Sequence, residues 1–400
     1  IAFTCDIEKM FHQFRVEKGH QDYLRFLWWE DGDLSKPPSD YRMKVHLFGA
    51  SSSPGCANFA LKQLAKDHRY IGEKAAEFLK EDFYVDDGLK GESSVEAAVD
   101  LLEKARLICA KGNLRLHKII SNNAEVMKSV PESERGNAVP TNLETDHGDS
   151  AIERALGLQW CVESDSFCFK LSLKDNPLTR RGILSTLASI FDPLGLISPV
   201  ILAGRQILQS MCKENLSWDH PIPENLRPQW EKWREELQKL KDVKIPRCYH
   251  PEGFGSPVSV QLHHFSDASL SGYGRCSYLR LENGDGQVHC TLVTAKARVT
   301  PLKVTTVPRL ELQAAVLSAT AARVLETELS YPNITHHFWT DSKVVLGYIQ
   351  NEATRFHMYV ANRVEQIHQN SQAQQWHYVA TAENPADHAS RGLSVEELST

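Results

Sequence analysis

The stretch Phe83-Tyr84-Val85-Asp86-Asp87-Gly88 sets two adjacent carboxylates against an aromatic, strand-forming run. Phe83, Tyr84 and Val85 favour a strand, Asp86-Asp87-Gly88 reads as a tight turn, and Leu89 and Lys90 lead back out, which together predict a β-hairpin. Neighbouring Asp side chains on a turn repel each other, which costs stability unless a cation neutralises them. Mg²⁺ ions handling phosphates are the cations this chemistry suggests. A bare Asp-Asp pair is common enough by chance that the rest of the chain must decide.

The chain opens Ile1-Ala2-Phe3-Thr4-Cys5-Asp6-Ile7-Glu8-Lys9-Met10-Phe11. Its first residues are mostly apolar and β-prone, so they read as a buried strand ending at Asp6. There Asp6 can face Asp86 across a sheet. Two-metal phosphoryl transfer needs carboxylates from separate strands converging on ions about 3.5–4 Å apart. The alternative is that Asp6 caps the helix that follows.

With both carboxylate sites in view, the residues resemble the palm of a reverse transcriptase. Asp6 lies in Asp-Ile-Glu-Lys-Met-Phe, which is similar to motif A, and Tyr84-Val85-Asp86-Asp87 is similar to the Y-x-D-D of motif C. Leu47 to Leu61, a Gly/Ser-rich loop around Gly49 feeding a helix, resembles motif B, where small residues let backbone approach a base pair or sugar. The resemblance implies that Asp6 and Asp86 hold metal, that Asp87 supports them and that Tyr84 contacts substrate. It makes Phe11 a steric gate against a ribose 2′-OH, hence dNTP use, and Lys118 the proton donor to pyrophosphate. The alternative for Phe11 is a core residue in an amphipathic turn, and Lys118 by itself reads equally as a solvated side chain on a helix end. Leu156-Gly157-Leu158-Gln159-Trp160 resembles the primer-grip hairpin, which assigns Gly157 and Trp160 to substrate binding.

From Val258 the pattern changes. Val258 to Ser269 alternates as a strand ending in Asp267, Gly272 to Leu281 is a second strand, Glu282 to Gly286 a turn, and Gln287 to Val299 a third strand. Pro308 to Leu329 reads as a helix with Glu311 in its first turn. His337 to Ser342 is a strand carrying Asp341, Trp376 to Val379 a last strand, and Asn384 is expected to cap a helix that holds Asp387. The order Asp267, Glu311, Asp341, Asp387 resembles ribonuclease H, which implies that these four hold two Mg²⁺ ions. Pairing with helix N-termini is the other reading of Glu311 and Asp387. Retroviral relatives place a mobile His in a longer loop before the last Asp; here only Ala380 to Ala386 intervene, and no catalytic His is assigned.

Between the two sites, Thr179 to Pro199, with Phe191-Asp192-Pro193-Leu194-Gly195-Leu196, resembles the thumb or connection region of BEL/Pao-type retrotransposon polyproteins, as do Val307 to Leu312 and Asn384 to Asp387. Trp218, Trp230 and Trp233 read chiefly as core.

At 400 residues, two to three domains are expected. No apolar run approaches the length of a membrane span, and nine Cys without a C-x-x-C pair suggest scattered reduced thiols. The net charge of −6 sits awkwardly with phosphate contacts, although seven acids belong to the two sites. Basic stretches at Lys170–Arg181 and Lys296–Arg309 could still track a backbone.

The expected architecture is therefore an α+β and α/β multidomain chain, a reverse-transcriptase palm and thumb-connection followed by a ribonuclease H-like mixed five-stranded sheet with helices. Its parts are a palm at 1–128 without fingers, a flexible loop at 129–150, a primer-grip hairpin and helical thumb at 151–240, a linker at 241–257 and the ribonuclease H-like domain at 258–400. The start within a strand suggests a fragment of a longer polyprotein, with protease and integrase modules outside it, and little polymerase activity from this chain alone. Expected partners are RNA template, DNA primer, RNA–DNA hybrid and dNTPs, with Mg²⁺ or Mn²⁺ as cofactor and no membrane. The implied setting is a cytoplasmic virus-like particle or the nucleus, not secretion. The rival readings are a domesticated, non-catalytic nucleic-acid-binding protein, or ribonuclease H activity alone.

Overall fold

The computed structural model describes residues 1–136, 152–155, 158–169, 171, 173–329, 331–351 and 355–398. They form two units, Ile1–Asp165 and Ser166–Thr400.

The first unit runs β1 (Ala2–Ile7), α1 (Met10–Gln13), β2 (Arg25–Trp28), β3 (Ser39–Arg42), α2 (Ser53–Asp67), α3 (Glu73–Glu81), β4 (Phe83–Tyr84), β5 (Asp87–Gly91), α4 (Val95–Lys111), β6 (Leu116–Ser121), α5 (Ala124–Ser129), β7 (Ile152–Ala155) and β8 (Leu158–Cys161). Its main sheet has the order β4-β5-β1-β6. Strand β1 is almost continuously apolar because it is covered on both faces. Phe3 and Ile7 join Leu61, Phe78, Leu79, Leu102 and Ile108 in one core, and Ala2 packs with Ile120, Trp160 and Val162 in another. Full burial of side chains such as Phe3 and Ile7 stabilises by about 1.5–3 kcal/mol each. Helix α4 starts where the Ser94 hydroxyl accepts the Ala97 N–H at 3.2 Å, a standard N-cap. It buries Ala98, Leu101, Leu102, Ala105, Ile108 and Cys109, the three-and-four spacing of one helical face.

The second unit runs β9 (Ser166–Cys168), α6 (Arg180–Ala188), α7 (Ser198–Lys213), α8 (Arg227–Gln238), β10 (Lys244–Pro246), β11 (Pro257–Ala268), β12 (Gly272–Asn283), β13 (Val288–Val299), α9 (Val307–Glu328), β14 (Thr335–Thr340), α10 (Lys343–Gln350), α11 (Met358–His368), β15 (Trp376–Tyr378), α12 (Asp387–Arg391) and α13 (Val395–Leu398). Five strands form one mixed sheet, β13-β12-β11-β14-β15. The first three pair antiparallel, β14 joins β11 in parallel, and β15 joins β14 in parallel. Helices α9, α10 and α11 cover one face around Phe338 and Trp376. Among the described residues no helix is long and apolar enough to cross a membrane.

Three expected boundaries are corrected. The helical stretch within 151–240 is not a body apart from 258–400, because it is docked on that sheet. The Leu194 carbonyl accepts the Ala295 N–H at 2.9 Å and the Thr294 hydroxyl at 2.7 Å, and Leu202 of α7 packs with Ala297 and Ala389. Second, the expected linker at 241–257 contains β10, which pairs with β9, and the buried Phe254, whose carbonyl accepts from Asn283 at 2.7 Å. Third, residues 129–136 of the expected loop hold a short 3₁₀ turn and a bridge from Ile119 to Arg135. Residues 137–150 lie outside the described residues.

Candidate active site

In the first unit β1 lies between β5 and β6, so Asp6 pairs in register with Asp87 on one side and His117 on the other. The Asp86 carbonyl accepts the Ile7 N–H at 2.9 Å. Asp6, Asp86 and Asp87 are thus brought together by strand pairing alone. The Asp6 carboxylate meets His117 Nε2 at 2.8 Å through one oxygen and accepts from Lys118 Nζ at 3.1 Å through the other. Burial pushes the Asp86 carboxyl up, and the Asp6 charge adds to the effect. Lys118 is held above its ordinary range by its bond to Asp6, with Asp87 and Asp86 contributing. It lies on β6 with φ of 47°, not on a helix end.

The hairpin turn is not Asp86-Asp87-Gly88. Tyr84 pairs with Asp87, so Val85 and Asp86 form the turn and Asp87 already belongs to β5. Val85 takes the left-handed conformation, φ 60°, which a β-branched residue adopts only under constraint. Gly88 serves close approach, since a Cβ there would strike the Phe83 ring and the Cys5 sulfur.

The other expected substrate contacts differ in placement. Tyr84 is exposed. Gly49 has φ of 87° with open space where a Cβ would stand, so its conformation is what requires glycine. Phe11 is buried in the core with its ring edge-to-face on exposed Phe48, centroids 4.8 Å apart. Trp160 is fully buried, and its Nε1 donates to Asp165 at 2.9 Å. It has no surface for a primer, and its role is packing behind β1; this corrects its assignment to substrate binding. Gly157 lies outside the described residues.

In the second unit four carboxylates come from four elements. Asp267 sits near the end of β11, Glu311 on the second turn of α9, Asp341 just beyond β14, and Asp387 at the start of α12. The alternation of β11 and the single-residue overrun of β14 place Asp267 and Asp341 at the same end of adjacent parallel strands. Asp267 is 5% exposed and accepts from the Ser390 hydroxyl. Burial raises its pKa, and Asp341 and Asp387 raise it further. Burial also raises Glu311, with Asp341 and Asp267 adding. Glu311 stands beyond the first turn of α9, where the helix dipole falls off.

Each carboxylate is engaged by a neighbour. Glu311 accepts from Ser342 at 2.7 Å, Asp341 Oδ2 from Thr381 at 2.7 Å, and Asp387 from Arg391 at 2.6 Å. Asp341 Oδ1 is buried and has no hydrogen-bond partner among the described residues. Among the described residues no group of three or more His, Cys, Asp or Glu is arranged so that it could hold a metal ion as placed. The all-oxygen donor set and the orphaned oxygen fit a hard divalent cation such as Mg²⁺ or Mn²⁺.

Asn384 departs from the expected N-cap, since α12 begins only at Asp387. Its buried side chain donates to the Ser266 carbonyl at 3.1 Å and accepts the Ala386 N–H at 3.1 Å. It therefore ties the α12 entry to β11 beside Asp267. Sequence reasoning missed the supporting residues Ser342, Thr381 and Ser390, and gave Asn384 the role of a helix cap. Only the Asp-Ser pair at 341–342 carried a local signal, because Ser342 also caps α10.

Residues 179–342 match a family described as Pao retrotransposon-like RNaseH-like domain. Comparison with curated proteins gives no match. Among solved structures, the foamy viral protease-reverse transcriptase dRH in complex with ds DNA is similar at 14% identity and a TM-score of 0.55, covering 96% of this chain and 57% of that one. The foamy viral protease-reverse transcriptase in complex with RNA/DNA hybrid is similar at 13% identity and a TM-score of 0.54, covering 96% of this chain and 44% of that one. The chain thus spans about half the length of these structures, and at such identity the likeness is one of fold. The matched family segment includes α6 and α7 together with β11 to β14 of the sheet, in keeping with their docking in one unit.

Proposed function

We propose that this chain is part of a retroelement pol polyprotein whose second unit cuts the RNA strand of RNA–DNA hybrids. The observation that carries the reading is the set Asp267, Glu311, Asp341 and Asp387 at one end of the mixed sheet, with Asp341 Oδ1 buried and unpartnered. Asp267, Glu311, Asp341 and Asp387 would hold two divalent ions, which when bound supply Lewis acidity to the scissile phosphodiester. The chain's own residues fix the donors. Ser342 orients Glu311, Thr381 orients Asp341, and Ser390 orients Asp267. Arg391 holds Asp387 and places a positive charge at the rim of the site.

A second activity, RNA-directed DNA synthesis, is favoured by the Asp6, Asp86, Asp87 and Lys118 cluster. Asp6 and Asp86 would hold metal there. Lys118, kept protonated by Asp6, suits proton donation to a leaving pyrophosphate.

The test is cleavage of a labelled RNA–DNA hybrid with Mg²⁺ by the chain and by Asp341→Asn. Cutting that needs metal and is lost in the variant supports the nuclease reading. A folded protein that binds hybrid without cutting it points instead to a domesticated binding protein.

A further inference from the structure

The basic stretch that begins at Lys296 is not used by either acidic site. Arg275 on β12 and Lys296 on β13 are register partners, so their side chains share one face of the sheet. Arg298, two residues further along β13, extends the same face. Arg205 of α7 reaches the same strand, and its Nη1 donates to the Ala297 carbonyl at 3.0 Å. Ser198, at the start of α7, and the docked loop of Pro193 and Gly195 complete an open cleft of about 250 Å³, lined by Arg205, Arg275 and Lys296 among others. Arg298 lines the cavity that adjoins it.

Three features mark this cleft as built for an anion. First, four cations gather here: burial lowers the proton affinity of Arg205 and Lys296, and the neighbouring Arg298, with Arg275 and Arg205 beside Lys296, lowers it further, against the pull of Asp192 on Arg205. Arg275 is half-buried, and burial brings its guanidinium down to about 10. Among the described residues the guanidinium makes long bonds, 3.4 Å to Ser277 and 3.4 Å to the Thr294 carbonyl. Second, among the described residues Asp192 is the carboxylate that lines the cleft, and it is committed to the α7 entry, accepting the Leu196 and Ile197 N–H groups at 2.9 and 3.1 Å, while Glu328 lines the adjoining cavity beside Arg298. Third, Ser198 is 5% exposed, lines the cleft, and its hydroxyl has no hydrogen-bond partner among the described residues. Packing like charges against a buried, unused hydroxyl costs stability in two ways. An oxyanion would offset both. Guanidinium forks favour phosphate oxygens over a compact halide.

We propose that Arg205, Arg275, Lys296, Arg298 and the Ser198 hydroxyl form a subsite for one backbone phosphate of a polynucleotide, separate from the four carboxylates. The occupant, though not the anion chemistry, rests on the reading that the second unit handles nucleic acid. Contacts of this kind carry no sequence information; they hold the strand in position.

The experiment is fluorescence anisotropy of a labelled RNA–DNA hybrid titrated with the full chain over a series of salt concentrations. It uses the native sequence, the exposed double variant Lys296→Ala/Arg298→Ala, and Lys232→Ala as a control on α8. Thermal melting in inorganic phosphate is followed on the same proteins. The expected result is about tenfold weaker hybrid binding in the double variant, with the slope of log affinity on log salt reduced by about 1 to 2. The control should be unchanged, and the phosphate-induced rise in melting temperature should be lost in the double variant. Hybrid binding of native strength and slope in a folded double variant would overturn the subsite while leaving the nuclease reading intact. A native protein that melts higher in phosphate but does not bind hybrid would overturn the polynucleotide occupant and, with it, the reading on which it rests.

Discussion

Asp341 has one carboxylate oxygen engaged by Thr381 and the other buried without a partner, so Thr381 decides which way the group faces. Removing that hydroxyl in Thr381→Val should leave the fold intact and cost about 10–100-fold in metal affinity or cleavage rate, the usual effect of losing a support behind a metal ligand. Cleavage rates followed against Mg²⁺ concentration measure it, and an unshifted metal requirement would remove Thr381 from the site. Asp267 allows a second test with opposite signs for stability and activity. Its pKa is raised by burial and by its acidic neighbours, so the folded state holds its proton more tightly than the unfolded chain. That contribution is fully present below the ordinary Asp value of 3.8 and is lost as pH rises through the folded pKa. Asp267→Asn keeps an acceptor for Ser390 and removes the charge. It should therefore melt higher than the native protein at pH 7.5, converge with it near pH 3.5, and cut no hybrid. A variant that melts lower at pH 7.5 would mean that the charge is stabilised by something other than a bound cation.

At the scale of elements, the loop Phe191–Leu196 joins α6 and α7 to the edge of the five-stranded sheet. Gly195 has φ of 75°, and a Cβ there would fall on the Ala295 carbonyl oxygen. Gly195→Ala should thus lose about 2–4 kcal/mol, through backbone strain together with the undocking of Leu194 from Thr294 and Ala295. Urea unfolding monitors this as a lower midpoint at similar slope, and a loss below about 0.5 kcal/mol would show that the loop adapts. Nothing local in the sequence shows that this loop touches β13, about a hundred residues away. The elements that were legible are those set by period and punctuation. The alternation of β11, the Pro-led start of α9, and the strand before Asp341 placed Asp267, Glu311 and Asp341 within a residue or two of their observed positions. What was not legible depended on partners distant in the chain. Trp160 looked like a ligand contact because the pattern cannot show that Ala2, Ile120 and Val162 enclose it. The hairpin turn was misplaced because Gly88 invited a glycine turn, whereas tertiary packing forces Val85 into the left-handed region and uses Gly88 to admit Cys5 and Phe83.

For the whole molecule, pH acts through histidines as well as through acids, and with the opposite sign. His263 and His337 are register partners on β11 and β14, and their rings stack at 5.0 Å. His264 and His336 stack at 5.4 Å and share a hydrogen bond of 3.1 Å. Burial lowers the pKa of all four, and neighbouring bases lower His263, His264 and His337 further. His263 is brought down to about 4, and its Nδ1 accepts from the Trp339 indole at 3.1 Å. A base with a depressed pKa is neutral in the fold while the unfolded chain still binds a proton. Its contribution is therefore complete above the ordinary value of 6.5 and is lost as pH falls from there to about 4. The raised acids follow the reverse course, so the folded protein has a limb on each side. The acid limb belongs to residues outside both carboxylate sites and can be altered without touching them. His263→Gln retains an acceptor for Trp339 and cannot titrate. It should flatten the fall in unfolding free energy between pH 6.5 and 4 by up to about 1.4 kcal/mol per pH unit, the effect of one proton. Its stability at pH 7.5 should change little. Chemical denaturation at half-unit pH steps reads this slope, and an acid limb of native steepness would show that His263 is already protonated in the fold, contrary to its burial against His337 and Trp339.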